Sequence, residues 1–132
     1  MPEGTPSCNA SRVNLDVARQ ELLKEFHEGA KTLRRTIGYN PTGFNQLVGE
    51  LGPVEAARRL INGSRPAEGF TTLWEHEKLD MSVEFIALLP WYTELFDNQD
   101  RSNARSRLES YEFDVDGHLE RRSTRPPTWW TP

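Results

Sequence analysis

Seven apolar residues, Leu15, Ala18, Leu22, Phe26, Ala30, Leu33 and Ile37, recur at intervals of three or four and constrain this chain more than any other feature. On an α-helix that spacing lines them up as one continuous stripe, because side chains three and four positions apart share a face. A strand would scatter them over both of its faces. A long amphipathic helix cannot hide its stripe alone, so the rest of the chain has to supply the layer that covers it. Ser11 or Asn14 can cap the start by accepting from the first unpaired amides, and Gly38 can adopt the left-handed conformation that ends it.

The covering layer reads as short helices separated by turn punctuation. Pro41 lacks an amide donor and pushes Asn40 toward extended backbone, so the chain turns there, and Thr42 can cap a second helix carrying Phe44, Leu47, Val48 and Leu51. Gly52 stops it. Pro53 suits the first turn of a third helix with Val54, Ala57, Leu60 and Ile61 inward, closed by Asn62 and Gly63. After a loop at 64–69, Phe70, Leu73 and Trp74 mark a short helix with an aromatic core face. Asp80 or Ser82 can cap the next, where Val83, Ile86, Ala87 and Leu88 run up to the stop at Pro90, and Trp91, Leu95 and Phe96 add apolar weight. A last helix is expected from about Asp100 to Tyr111, with Ala104 and Leu108 inward and its arginines outward. Beyond it Phe113, Val115 and Leu119 alternate around Asp116-Gly117, a dipeptide suited to a tight hairpin. The fold expected is therefore mainly α, a single compact domain of about five helices with a short C-terminal β-hairpin.

The expected organisation is a mobile leader at 1–11, rich in Pro, Gly, Ser and Thr, a helical domain at 12–119, and a Pro/Trp-rich tail at 120–132. Trp129 and Trp130 in that tail either dock onto the domain or present a motif to a partner. Docking is the favoured reading, because exposed paired tryptophans promote aggregation.

With 132 residues, 36% of them hydrophobic and 27% charged, the chain can bury one core without disulfide or metal support. Its formal charge of -4 argues against a surface that serves as a whole as a phosphate-binding field. The arginines fall in clusters, Arg34 with Arg35, Arg58 with Arg59, Arg101 with Arg105 and Arg107, and Arg121 with Arg122 and Arg125, and read as solvated helix faces. Cys8 is the only cysteine, which excludes an intramolecular disulfide and any multi-cysteine zinc or iron–sulfur site. The N-terminal residues lack the pattern of a signal peptide, and no apolar run approaches the roughly 18 residues that span a bilayer. A cytoplasmic setting without membrane contact is the expectation.

Few residues are arranged for chemistry. His76, Asp80 and Glu84 are spaced by four, so a continuous helix would offer an imidazole and two carboxylates to a divalent metal, although Asp80 falls where a helix break is expected. His27 and His118 have no ligand-spaced neighbour, no serine sits in a nucleophile elbow, and neither glycine-rich phosphate-loop pattern occurs. The unit at 42–62 has the helix-turn-helix pattern, with Arg58 and Arg59 on the second helix placed to meet phosphates or guanine edges.

Gly-Tyr-Asn-Pro-Thr-Gly-Phe from Gly38, Gly-Phe-Thr-Thr-Leu-Trp-Glu from Gly69 and Leu-Asp-Met-Ser-Val-Glu from Leu79 together resemble a family of uncharacterised bacterial small helical domains, over roughly Gly38 to Tyr111. The resemblance implies no activity and carries no catalytic residue across. Most of these positions read as turn, cap and core determinants, with Trp74, Leu79, Val83 and Phe96 assigned to the core. Asn40, Arg58, Arg59, Glu75 and Glu84 are left over, and with Trp129 and Trp130 they form the candidate binding surface. The function expected is a non-enzymatic binding or accessory module without a cofactor, recognising a protein partner first. Nucleic-acid binding through 42–62 is the alternative, and a metal-dependent enzyme is the second alternative.

Overall fold

Ala18, Leu22, Phe26, Ala30 and Leu33 are buried along one face of α1 (Thr5–Ile37) in the computed structural model, which describes residues 5–130 and their side chains from 15 onward. The expected stripe is thus the face that packs. The covering layer consists of α2 (Thr42–Leu51), α3 (Pro53–Ile61), α4 (Glu68–Glu75), α5 (Val83–Ala87), α6 (Asn98–Ser110) and α7 (Val115–Ser123). Turns of 3-10 helix at Leu79–Met81 and Pro90–Leu95 flank α5. The result is a compact, mainly helical single domain, with no strand among the described residues.

The core centres on α5, which packs against both α3 and α6. Phe85 and Leu89 have no exposed surface, and Glu84, Ile86, Ala87 and Leu88 are buried around them. Ser82 makes this short helix start where it does. Its hydroxyl accepts from the Phe85 amide at 3.2 Å and donates to the Leu79 carbonyl at 2.7 Å, joining the 3-10 turn to the helix. Pro90 opens the next 3-10 turn and cannot continue the helix behind it.

Several expectations are corrected. The first helix does not begin at Ser11 or Asn14 but passes through both, since its backbone is helical from Thr5, with Pro6 in the first turn where its missing amide costs nothing. The leader at 1–11 therefore lies partly within α1. Cys8 lies outside the residues whose side chains are described.

The hairpin at Asp116-Gly117 is α7 instead. The Asp114 carboxylate accepts from the Gly117 amide at 3.1 Å, an N-cap that a Cβ at position 117 would obstruct. Phe113, just before the cap, stacks on His118 with ring centroids 4.2 Å apart, which fixes the entry angle of the chain as a hydrophobic staple does. Phe113 and Val115 alternate because they flank the N-cap Asp114, not because they belong to a strand. α7 also crosses the boundary placed at 119, so the tail begins inside a helix.

Trp74 was assigned to the core but is 46% exposed, its ring edge-on to Tyr111 at 5.4 Å. The arginines of α6 do not simply face solvent. Arg101 donates to the carbonyls of Thr93 and Phe96, and Arg105 pairs with Glu109 and Asp116. Arg107 points inward, with 11% of its side chain exposed.

Candidate functional site

A cleft of about 390 Å³ opens between α1, the start of α2, α4 and the turn leading into α5. Each wall follows from a local sequence feature. Phe26 and Leu33 come from the buried stripe of α1, and Phe44 of α2 meets Phe26 edge-on at 4.9 Å. Gly38, with φ of 70°, turns the chain out of α1 and delivers Tyr39 and Asn40 to the rim. Phe70 and Leu73 of α4 and Met81 of the following turn also line it.

The charged side chains that line the cleft, Glu25, Glu68 and Glu84, are all acidic, and Tyr39, Asn40, Thr42 and Ser82 add neutral polar groups. The Tyr39 hydroxyl lies against the backbone of α4, where a Cβ on Gly69 would sit 2.9 Å from it, so glycine at 69 is what allows this approach. Burial first, and the nearby Glu68 carboxylate second, push the Tyr39 hydroxyl above its usual range. Glu84 is the most deeply placed of the three carboxylates, with 3% of its side chain exposed. Burial pushes its carboxyl up, opposed by its own backbone amide and by Arg107, whose guanidinium donates to Oε2 at 3.0 Å.

Arg107 fixes the cleft from behind. Besides Glu84 it donates to the Leu60 carbonyl at 2.8 Å and the Gly63 carbonyl at 2.6 Å, satisfying acceptors at the end of α3. One side chain from α6 thereby ties the end of α3 to α5.

A second groove of about 510 Å³ on the other side of α3 and α6 involves Arg107 and Tyr111. A third, of about 550 Å³, adjoins the cleft, shares Glu25, Gly29, Met81 and Ile86 with it, and is walled by the C-terminal segment. There the Tyr92 hydroxyl donates to Glu25 at 2.8 Å and Arg122 reaches the same carboxylate at 3.1 Å.

The residues singled out in the sequence are only partly brought together. Asn40 and Glu84 both line the cleft. Arg58, with 39% of its side chain exposed, is already engaged by carboxylates. Its Nε donates to Asp100 at 2.9 Å and its Nη1 to Glu55 at 2.9 Å, with Asp97 at 3.6 Å. Arg59 and Glu75 are exposed elsewhere. Trp129 and Trp130 are half-buried, with ring centroids 6.1 Å from Tyr92 and 5.8 Å from Trp91, so the tail docks on the domain.

The proposed metal face does not form. α4 ends at Glu75, His76 turns its Nδ1 back to the Thr72 carbonyl, Asp80 lies in a 3-10 turn, and Glu84 is paired with Arg107. No group of three His, Cys, Asp or Glu side chains is placed to hold a metal ion among the described residues. Nor, among them, is any helix long and apolar enough to cross a membrane.

Tyr39, Glu68 and Gly69 were missed as site residues. Tyr39 and Gly69 carry a signal, since both belong to the motifs of the central segment, but the same pattern also fits turn geometry. No protein-family model, curated protein or solved structure matches this chain.

Proposed function

We propose that the protein is a binding module that recognises a protein partner by seating apolar side chains of that partner in the cleft between α1, α2 and α4. The observation that carries this reading is the cleft itself, about 390 Å³, walled mainly by apolar and aromatic side chains, with polar groups at its edge and depth. A pocket of that kind suits the anchor of an interface, where a few fully desolvated side chains supply most of the affinity.

The test uses Gly43, which lines the mouth and would place a Cβ in open space. Peptides selected from a displayed random library should bind the wild-type chain, perturb amide resonances around Leu33, Tyr39 and Phe70, and lose binding to Gly43→Leu, whose melting temperature should be unchanged. Selected peptides that map elsewhere, or that bind Gly43→Leu as tightly, remove the reading.

A further inference from the structure

We infer that the cleft selects a cationic anchor, a lysine or arginine side chain carried among apolar residues of the partner. The inference rests on the cleft being the binding site, and it follows from the charges around it. Glu25, Glu68 and Glu84 line the cleft, whereas no lysine, arginine or histidine does so among the described residues.

The three carboxylates are not equivalent. Glu25 is held by Tyr92 and Arg122 on the adjoining groove, and Glu84 is held by Arg107 from behind. Glu68 makes no ion pair among the described residues, and it stands close enough to the Tyr39 hydroxyl to perturb it. Glu68 thus brings a carboxylate that no cation offsets among the described residues, beside the Tyr39 hydroxyl, to a cleft lined mainly by apolar side chains. Lysine and arginine match this combination, because each buries an apolar stem while directing a charged head to a polar group. An anionic group would meet the Glu68 carboxylate, which no cation offsets among the described residues, and would be repelled by it.

The probes are n-hexylammonium, 1-hexanol and hexanoate, titrated separately into the full chain near neutral pH and followed by amide chemical shifts. Hexylammonium should shift resonances of Leu33, Tyr39 and Gly69 and bind about tenfold more tightly than hexanol, a preference between that of exposed and buried charge pairs. Hexanoate should bind least. Glu68→Gln, at an exposed position, should abolish the ammonium preference and leave hexanol binding unchanged, and added salt should reduce the preference in the wild type. Hexanol binding as tightly as hexylammonium, or hexanoate binding best, overturns the cationic anchor while leaving the cleft as a site. Shifts from all three probes that map away from the cleft overturn the site as well.

Discussion

Arg107→Leu should be among the most damaging substitutions in the molecule, and its cost should depend on pH in a direction the structure fixes. Arg107 and Glu84 are 11% and 3% exposed, with Nη1 and Oε2 3.0 Å apart. Removing one member of such a pair leaves a buried charge without compensation, which costs about 3–5 kcal/mol. The Leu60 and Gly63 carbonyls lose a donor in the same step, but Gly63 is exposed and water can replace the guanidinium there. For a domain whose total stability is about 5–15 kcal/mol this is a large fraction, corresponding to a fall in melting temperature of about 10–20 °C. The double substitution Arg107→Leu/Glu84→Leu should recover most of the loss, because no buried charge then remains.

The pH dependence separates this account from simple loss of packing. The Glu84 carboxyl in the folded protein lies above its ordinary value of 4.5, so between those two values the folded state binds more protons than the unfolded one. Its contribution to stability is therefore greatest at low pH and falls as pH rises through that window. Without Arg107 the carboxyl should rise further, so the deficit of the variant relative to wild type should shrink as pH falls, because the protonated acid needs no counter-charge. Urea denaturation of wild type, Arg107→Leu and the double variant at about pH 5 and about pH 7.5 measures both effects. A deficit within about 0.5 kcal/mol at the higher pH, the range of ordinary surface changes, or one that deepens on acidification, refutes the argument.

Two further outcomes follow from other polar contacts. Asp100→Asn should cost about 2–3 kcal/mol in denaturant titrations, because this carboxylate accepts from Arg58, from Asn62 at 2.8 Å and from the Asp97 amide that it caps. Burial raises the Asp100 carboxyl, yet the Asn62 amide, the Asp97 backbone N–H and Arg58 outweigh it and hold it below 3.8, so its contribution is present above that value and is lost as pH falls through the folded one, opposite in sign to Glu84. Asp114→Ala should cost about 1 kcal/mol and lower helical circular dichroism, and an unchanged signal would show that the cap does not hold α7.

Where apolar spacing or a turn residue dictates the backbone, the sequence was a sufficient guide. Leu22, Phe26 and Leu33 announced the buried face of α1, and Ser82 and Pro90 bracketed α5. It misled where a local pattern has two solutions of similar form. Asp114 through Gly117 fits both a strand approaching a turn and a capped helix, and the stacking of Phe113 on His118 accompanies the second. Two helix ends gave no glycine signal, since Glu77 and Glu112 occupy left-handed backbone, at φ of 57° and 60°. At each, the next residue's amide bonds back to a carbonyl in the final turn of the helix, Lys78 to Leu73 at 2.7 Å and Phe113 to Leu108 at 3.1 Å.

The candidate site was legible only in fragments. Asn40 and Glu84 could be picked out as polar residues that the architecture did not require, but neither the burial of Glu84 nor its partner on α6 is encoded in any local spacing. Arg58 and Arg107 look alike in the sequence, as helical arginines among other arginines. Arg58 is held at the α3–α6 boundary by Asp100, and Arg107 lies behind the cleft against Glu84. What the sequence determined by itself is the mainly helical class and the buried face of helices such as α1, because hydrophobic period and capping act within a few residues. What only the tertiary structure decided is which charges meet and where space is left between helices, because those depend on how faces far apart in the chain are packed.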